Sequence, residues 1–484
     1  MTRRRRPLAR LLALAAACIA ADAAAGPPPS GQCPTFTGKT ADGVDARGTP
    51  LEEGQPLQLV EIIQLEKLFP PEIWKYREEF FFDGMRMEIG WCHRDYPPTA
   101  AYQAATEKNA SAVKLDKDGN LKNYRAGRPF PADAIDMKAP DAAVKWAWNF
   151  ELRDRGAGPR GSFSILDLPA GLGTPQTYKG TFFYLQTGHR ADLVDSKYKA
   201  EAGGDKLWVA GGRFDEPFDA RHLAWRQLRP NDATEDYKEP DDTFVYVPTM
   251  RKSRRAATSW VDGLYAPRYL VAGIDQAGGG VPFGSNQYGP TGSIQPTAAL
   301  SIAATENLRR GFVGLAVRPN AYLWRVVGER EVLAPLNGRA VGYPNNPDRN
   351  YGPSGLSVAS DRWDVRWAVV IEGRARQVVD DVGYVRLWID WQTGQPLYYM
   401  SERPNRTILD VGIQVHRWSG DRPDYPDWPG IGRVGVFDPV AAVFLDLANG
   451  HSGWRRESYD LVSIPVDDKE LRKMAGVDEL THGR

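Results

Sequence analysis

The chain has 484 residues, 42% of them hydrophobic, so it can bury a substantial core in two or three domains or in one large β-rich domain. Its 61 Lys and Arg residues balance 61 Asp and Glu residues, and this lack of positive excess argues against nucleic acid as the main partner. The 48 glycines, 37 prolines and 15 tryptophans are more typical of an antiparallel β protein than of a helical bundle.

The first 25 residues have the three parts of an export signal. Arg3–Arg6 form a positive segment, and Leu8–Ala21 form an apolar segment that is too short to span a membrane. Small residues then precede Gly26. We therefore expect residues 1–25 to be a signal peptide that is cleaved near Gly26. Cys18 follows three alanines, which leaves lipid anchoring at this cysteine as an alternative.

Two cysteines, Cys33 and Cys92, follow that segment. In an oxidising compartment they most simply form one disulfide, which would tie the N-terminal arm to the segment around Trp91. A metal site is disfavoured because Cys92 and His93 are adjacent and no second pair stands at ligand spacing. We therefore expect a disulfide, no metal and no other cofactor.

Helices are predicted in the N-terminal third of the chain. Residues 26–56 are rich in Gly, Pro and Thr and indicate an extended arm, whereas residues 57–160 form the helical part. The helices are expected at Leu57–Phe69, Glu72–Phe81, Tyr102–Ala112 and Asp141–Arg155, with a strand at Met85–Trp91.

The last of these helices has the clearest start and stop signals. Asp141 follows a proline and is a good N-cap. Arg153 and Arg155 suit the negative end of the helix dipole, and Gly156 is typical of the position after a helix. The earlier segment 115–121 (L-D-K-D-G-N-L) faintly resembles a calcium loop, but its glycine comes too early and no glutamate closes it, which favours a plain turn.

Strands are predicted throughout residues 161–463. The Gly- and Pro-rich segment 262–296 is too long for a simple connection and is expected to form a lid or an edge cover. Residues 464–484 form a polar tail with a short helix at Lys469–Ala475. Alternating patterns place the strands at Ser162–Leu168, Tyr178–Thr187, Lys206–Phe214, Leu223–Leu228, Tyr322–Glu331, Trp363–Arg374, Tyr384–Asp390, Pro396–Ser401 and Ile408–Trp418.

One hairpin carries a concentrated positive charge. Thr243–Val247 alternates as a strand, a proline interrupts it, and Met250–Arg255 returns with four cations in six positions. This basic strand is either a solvated sheet edge or a contact for a partner. The candidate contact residues are Arg251, Arg254 and Arg255.

The sequence lacks the common catalytic signatures. It contains no G-x-S-x-G, phosphate-binding loop, dinucleotide fingerprint or H-E-x-x-H motif. Several tryptophans on predicted strands could stack on sugars, but they are more typical of a core or a groove wall. They are Trp363, Trp367, Trp388 and Trp391. A polysaccharide-active enzyme with a carboxylate pair is therefore the least favoured functional alternative.

Separated motifs resemble one family and keep its order. The segments 244–255 (F-V-Y-V-P-T-M-R-K-S-R-R) and 385–399 (V-R-L-W-I-D-W-Q-T-G-Q-P-L-Y-Y) resemble hairpins of the LolA-like superfamily. The segments 96–110 (Y-P-P-T-A-A-Y-Q-A-A-T-E-K-N-A), 127–131 (G-R-P-F-P) and 143–156 (A-V-K-W-A-W-N-F-E-L-R-D-R-G) resemble the exported bacterial family called domain of unknown function 1329, which is itself LolA-like.

The resemblance implies an α+β fold, mainly antiparallel β, in which an open half-barrel has helices packed in or over its concave face. LolA-like proteins carry acyl chains there, because a curved sheet leaves a dry apolar groove that accepts many shapes. From strand alternation, the residues expected to line the groove are Phe182, Tyr184, Phe244, Tyr246, Trp324, Trp367 and Leu387.

We therefore expect a periplasmic, non-enzymatic binding or carrier protein of a Gram-negative bacterium, with a lipid or another hydrophobic molecule as its ligand. The resemblance also implies association with RND-type transporters or outer-membrane barrels. An accessory protein that docks on such an assembly and carries nothing is accordingly the main alternative.

Overall fold

The computed structural model describes most of the chain after the predicted signal peptide. That segment, including Cys18, lies outside the described residues, as does the predicted lid except for residues 263–267, so both stay predictions. The described residues are 26–168, 175–195, 197–248, 251–256, 263–267, 312, 314–339, 351–379, 381–447 and 453–480.

Strands make up most of the described structure. All except β3 and β4, which pair with each other, belong to one sheet. The bounds are β1 Pro56–Leu57, β2 Met87–Cys92, β3 Lys114–Leu115, β4 Leu121–Lys122, β5 Pro159–Leu168, β6 Gln176–Gln186, β7 Lys206–Glu216, β8 Ala224–Pro230, β9 Asp242–Val247, β10 Lys252–Arg255, β11 Tyr322–Ala334, β12 Arg362–Val379, β13 Val382–Asp390, β14 Pro396–Glu402, β15 Ile408–Trp418, β16 Phe437–Asp446 and β17 Gly453–Ser463.

The α-helices of the described residues are short. Two of them begin with a side-chain cap, because the oxygens of Thr99 and Asp467 accept hydrogen bonds from N–H groups that the first helical turn leaves unpaired. The bounds are α1 Leu59–Ile62, α2 Pro71–Lys75, α3 Arg77–Phe80, α4 Ala100–Asn109, α5 Ala142–Glu151 and α6 Asp468–Ala475.

The sheet is one long antiparallel meander. Its order runs from β11 through β12 to β17, and then from β5 to β10, with β17 paired to β5 in the middle. β2 is different because it pairs in parallel with the start of β12. The strand order begins at β1 and ends at β10, with β11 as a branch on β12, and within the described residues neither β1 nor β11 pairs with β10, so the sheet is open. This confirms the predicted fold class, which is mainly antiparallel β with few helices.

The sheet curves because both of its halves pack on one helix. α5 has ten residues and is therefore about 15 Å long. It packs against β12, and Trp208 of β7 donates from Nε1 to Oε1 of its Glu151 at 3.2 Å. β12 and β7 are eight positions apart in the sheet, which would be roughly 38 Å in a flat sheet. The sheet therefore wraps around α5, as expected of a half-barrel with a helix in its concave face.

The composition of α5 follows from this position. Eight of its ten residues are buried. Trp148 belongs to the core cluster on the β5–β9 side, whereas Trp146 and Phe150 belong to the cluster on the β12–β16 side. A helix that is apolar around most of its circumference is stable only inside a core.

The other face of the sheet is covered as well. Side chains alternate between the two faces of a strand, and Tyr398 of β14 lies in an outer cluster with Phe36 of the N-terminal arm and Ile73 of α2. α6 covers the outer face of β6 to β8 through Leu471. α1–α3 and α6 therefore lie outside the half-barrel, which corrects the expectation that the helices occupy the concave side.

The predicted helix at Leu57–Phe69 is not continuous. Leu57 pairs with Met87 as part of β1 and is completely buried. What remains is α1 and one short turn of 3-10 helix at Glu66–Leu68. The pairing of Leu57 in the sheet therefore overrides the helical periodicity of the segment.

The predicted helix at Asp141–Arg155 is shorter than expected. Asp141 occupies the N-cap position, but its carboxylate pairs with Lys145 at 2.9 Å and accepts no capping hydrogen bond. The helix ends at Glu151, so Arg153 and Arg155 lie beyond it. The dipole argument therefore does not explain these two arginines.

A buried ion cluster fixes the end of α5 to the sheet. Arg229 donates from Nη1 to Glu151 Oε1 at 3.2 Å, and from Nε and Nη2 to the Asp241 carboxylate at 3.0 and 2.9 Å. At most 5% of each of these side chains is exposed. Burial alone would lower the pKa of Arg229, but Asp241 and Glu151 raise it above its usual value. The guanidinium therefore stays charged inside the core.

We expect Arg229→Met to lower the free energy of unfolding by about 3–5 kcal/mol, because it removes the cation paired with Glu151 and one of the two buried arginines that pair with Asp241. The matched control is Arg255→Met, which breaks an ion pair with Asp242 in which the arginine is 62% exposed. That variant should cost less than about 1 kcal/mol. Urea unfolding at pH 7 measures both losses, and equal losses would contradict the anchoring role of Arg229.

Candidate ligand-binding site

The residues predicted to line a groove do not meet on one surface. Phe182 and Tyr184 lie in the core on the β5–β9 side of α5, and each is only 2% exposed. Leu387 and Trp324 lie in or against the core on the β12–β16 side. Phe244 packs against the α6 cluster on the outer face. Phe182, Tyr184 and Leu387 are therefore packed core, and Trp324 packs against that core. Phe244 is on the wrong side of the sheet for the predicted groove.

The two remaining groove candidates are also separate. Tyr246 is partly buried and shares the outer face of β9 with Phe244 by strand alternation. Trp367 is partly buried and donates from Nε1 to Glu329 Oε1 at 3.4 Å. Because α5 fills the concave side, the seven residues do not form one groove in the described structure.

The other predicted residues have clear positions. Cys33 and Cys92 form a disulfide with their Cα atoms 5.1 Å apart, which ties the N-terminal arm to β2. Arg251 and Arg254 are exposed beside or on β10, whereas Arg255 pairs with Asp242. The proposed contact surface therefore has fewer unpaired cations than its sequence indicates.

The segment 115–121 closes on itself as a turn. Asp116 Oδ1 accepts hydrogen bonds from the N–H groups of Asp118 and Asn120 at 2.9 and 3.0 Å. Elsewhere in the described chain, one group of side chains has the spacing of metal ligands, and it consists of Glu53 and the two disulfide-bonded cysteines. Cysteines joined in a disulfide have no thiolate to offer a metal.

A cavity of about 350 Å³ lies beside the C-terminal end of α5. Its wall is formed by the first turn of α4, the chain just after α5, the loop after β6 and the segment between β15 and β16. Two of the sequence motifs, 96–110 and 143–156, therefore meet at this cavity although none of the seven predicted groove residues lines it.

Part of the cavity wall is apolar and aromatic. Tyr102, Trp418 and Trp428 line it, and each is at most 7% exposed. The Tyr102 hydroxyl donates to the carbonyl of Leu152 at 2.7 Å, which holds the ring in place. Ile431 also lines the cavity and is 59% exposed. The wall therefore combines fixed aromatic rings with an aliphatic side chain that water reaches.

Two glycines allow the indole rings to approach the cavity. A Cβ atom at Gly156 would lie 2.6 Å from the Trp428 ring, and one at Gly435 would lie 2.3 Å from the Trp418 ring. Gly156 also has a φ of +56°, in the left-handed region that other residues rarely adopt. A larger residue at Gly156 would therefore displace the aromatic wall.

Another part of the wall is basic. Arg155 is 7% exposed and donates from Nη1 to the Tyr184 hydroxyl and from Nη2 to Gln186 Oε1 at 2.7 Å. Its guanidinium carbon lies 4.4 Å from the centre of the Tyr184 ring. Tyr184 thus orients the arginine of the cavity from behind, although it does not line the cavity itself.

The acidic residues of the wall are already bonded to protein donors. Asp192 receives two hydrogen bonds from Arg190, at 2.8 and 2.6 Å. Asp154 accepts from the N–H and the hydroxyl of Thr99 at 2.6 and 2.8 Å, and from the N–H of Gly156 at 3.0 Å. Burial raises the pKa of Asp154 above its ordinary value, although these donors oppose the shift.

The wall is positive overall. It contains four arginines, two aspartates and a histidine whose pKa is lowered by burial. Arg153 is 5% exposed and donates to Gln395 Oε1 and to the carbonyl oxygens of Phe150 and Leu315. Burial, and then the nearby Arg155 charge, lower the pKa of Arg153 to about 9. Arg153 therefore remains charged at neutral pH.

The sequence contained a signal for this site that strand alternation does not reveal. Arg153 and Arg155 flank Asp154 within the motif 143–156, directly after the residues that form the buried helix α5. Once that helix is known to be buried, the charged residues that follow it must be buried or line an opening. The aromatic partners Trp418 and Trp428 come from a distant segment and have no comparable signal.

The fold and the cavity define an open antiparallel half-barrel with a mixed apolar and basic cavity beside its central helix. Residues 78–277 match the family described as "Protein of unknown function (DUF1329)". This is the family that the sequence motifs resemble, so the predicted resemblance is confirmed. The match includes both motifs that meet at the cavity.

Individual relatives are more distant. The chain is 25% identical over 328 residues to an uncharacterized protein of Pseudomonas aeruginosa, covering 65% of this chain and 60% of that protein. The aligned part therefore spans less than two thirds of that relative.

Solved structures with a detectable likeness include a DUF1329 family protein from Desulfovibrio piger, at 12% identity and a TM-score of 0.37 over 70% of this chain and 98% of that one. A LolA superfamily protein from Nitrosomonas europaea has 11% identity and a TM-score of 0.31 over 69% of this chain and 96% of that one.

We expect Gly156→Ala to lower the free energy of unfolding by about 2–5 kcal/mol, from roughly 1–2 for the left-handed backbone and 1–3 for overpacking against Trp428. Gly430→Ala is the matched control, because its φ is +75° but nothing lies within 4 Å of the added Cβ. It should show the backbone cost alone. Urea unfolding, monitored by tryptophan fluorescence, measures the free energy of unfolding of both variants. An equal decrease in both would contradict the close packing of Gly156 against Trp428.

Proposed function

We propose that this protein is a non-enzymatic binding or carrier protein that holds a hydrophobic molecule in the cavity beside α5. The observation that carries the proposal is the wall of Tyr102, Trp418 and Trp428, whose buried rings border a partly open cavity of about 350 Å³. Filling such a space with apolar atoms is favourable, because it removes their surface from water.

The size of the cavity favours a ligand with one aliphatic chain over a ligand with several. Small-molecule sites usually measure about 300–1,000 Å³, and this cavity is near the lower limit. Because α5 occupies the concave side of the sheet, the ligand site differs from the open groove that the sequence alone indicated. A single short aliphatic chain or a compact apolar molecule fits these dimensions better than a lipid with several acyl chains.

A binding role fits the cavity better than hydrolysis. Glycoside hydrolysis, for example, needs two carboxyl groups that face the substrate. Asp154 and Asp192 line the cavity, but Asp154 is held by Thr99 and Gly156, and Asp192 by Arg190. These contacts favour structural roles for the two aspartates.

Export to the periplasm is part of the proposal. It is supported by the N-terminal sequence pattern and by the Cys33–Cys92 disulfide, since disulfides persist in oxidising compartments. In the described part of the chain, no helix has the length and apolar character needed to cross a membrane.

Filling the cavity should abolish ligand binding. Ala101 lines the cavity from α4, whereas Ala104 is exposed on the same helix and does not line it. We expect Ala101→Phe to weaken the binding of a dodecyl-chain amphiphile by about tenfold or more. The phenyl ring would displace a part of the aliphatic chain as large as an apolar side chain, and the burial of such a group contributes about 1.5–3 kcal/mol. Ala104→Phe should bind as the unaltered protein does. Quenching of tryptophan fluorescence during titration measures both affinities.

Two results would contradict the proposal. One is equal binding by the two alanine variants, which would place the amphiphile elsewhere. The other is the absence of any amphiphile, either co-purified in native mass spectrometry or bound in titration of the full-length protein.

A docking role is the second candidate function. The observation that favours it is the exposure of Arg251 and Arg254 at an end strand of the described sheet. Reversing the charge with Arg254→Glu should then abolish co-purification with an envelope assembly and leave amphiphile binding intact. Unchanged co-purification would remove this strand from any partner contact.

A further inference from the structure

Arg155 differs from most of the buried arginines of the described structure. Most deeply buried arginines here have a carboxylate within salt-bridge distance. The pairs are Arg190 with Asp192, Arg229 with Asp241, Arg366 with Asp390 and Arg455 with Glu457. For Arg155, hydrogen bonds within the described residues go to the neutral oxygens of Tyr184 and Gln186, and no carboxylate lies within 4 Å.

This arrangement is costly in the free protein. A buried charge that lacks a counter-charge loses hydration energy that neutral hydrogen-bond partners restore only in part. Arg153 adds a second cation without a carboxylate nearby, but its Nε and both terminal nitrogens are occupied by Gln395 and two backbone carbonyls. Arg155 makes two hydrogen bonds and Arg153 makes three, so Arg155 has more of its five guanidinium N–H groups left for a ligand.

We propose that the ligand is an amphiphile with an oxyanion head group, either a carboxylate or a phosphate, that pairs with Arg155 while its aliphatic chain lies against Trp418 and Trp428. This inference rests on the proposed function, since it assigns the chemical class of the molecule in the same cavity. The wall contains four arginines but only two aspartates. The negative charge of the head group would offset this excess of positive charge.

The geometry around Arg155 suits an oxyanion. Tyr184 packs on the guanidinium at 4.4 Å and Gln186 accepts from it, so the plane of the group is fixed before a ligand arrives. A pre-oriented planar fork recognises carboxylate and phosphate oxygens better than a flexible ammonium does. The neighbouring Asp192 does not compete for this role because both of its oxygens are bonded to Arg190.

The test compares four probes of matched structure with the full-length protein at pH 7.5, each below its micelle concentration. Laurate, dodecyl phosphate and dodecanol share a twelve-carbon chain and differ in the head group, and inorganic phosphate has no chain. We expect the better of the two anionic amphiphiles to bind at least about tenfold more tightly than dodecanol, because a hydrogen bond between two charged groups is stronger than one to a neutral hydroxyl. The order of laurate and dodecyl phosphate identifies the preferred oxyanion.

Arg155→Gln tests the residue itself. We expect the ratio of anionic-amphiphile affinity to dodecanol affinity to fall by about tenfold, with no loss of thermal stability in the unliganded protein, because the variant removes an uncompensated buried charge. The matched control is Arg160→Gln, at a partly buried arginine outside the cavity that pairs with Glu470. Its affinity ratio should equal that of the unaltered protein.

The outcomes separate the two proposals. Equal affinities for dodecanol and the anionic amphiphiles would overturn the head-group assignment and leave the proposed function standing. Tight binding of inorganic phosphate alone would overturn the amphiphile and indicate a site for a free anion. Binding of none of the dodecyl probes would overturn the proposed function together with this inference. An unchanged affinity ratio in Arg155→Gln would show that another group recognises the anion.

Discussion

The burial of α5 is the constraint on which the rest of the structure depends. A ten-residue helix with two tryptophans and a phenylalanine cannot remain in water, and a single flat sheet could cover only one side of it. The sheet instead wraps around it, so that both halves of the meander share this helix as their core. The Arg229 cluster then fixes the end of the helix, because an ion pair of such low exposure is satisfied in one arrangement only.

The cavity follows from the way α5 ends. The helix stops at Glu151, and the next residues must leave the centre of the half-barrel. Gly156 makes this possible through a left-handed backbone that also leaves room for the Trp428 ring. The chain therefore exits beside an aromatic wall, and Arg155 is carried into the wall by the same turn. The left-handed backbone at Gly156 therefore brings the Trp428 ring and the Arg155 guanidinium, which has no carboxylate partner, to the same cavity.

Much of the fold could be predicted because the relevant signals are local. Strand alternation placed most strands within a few residues, and Lys469–Ala475 was recognised as a helix. β16 was missed because it is buried on nearly its whole length, so its residues do not alternate, and β17 was missed as well. Leu57–Phe69 was predicted wrongly because a partner strand distant in sequence captures Leu57.

The site was harder to predict than the fold. Which face of a strand points inward depends on a one-residue register, and the aromatic residues of β9 proved to face outward while Val245 faces the core. The cavity also needs Trp428, which lies more than 250 residues after Arg155 in the chain. No periodicity connects residues at such a distance, although the family motif around Arg155 did mark one side of the site.

The most direct test of the account is a crystal structure of the protein with 12-bromododecanoate, in which anomalous scattering locates the bromine and the electron density locates the carboxylate. The account predicts that the carboxylate lies within hydrogen-bonding distance of Arg155 and that the bromine lies in the cavity beside Trp418 and Trp428. A ligand bound on the outer face of the sheet, or one with its carboxylate in solvent and its chain away from these rings, would contradict it.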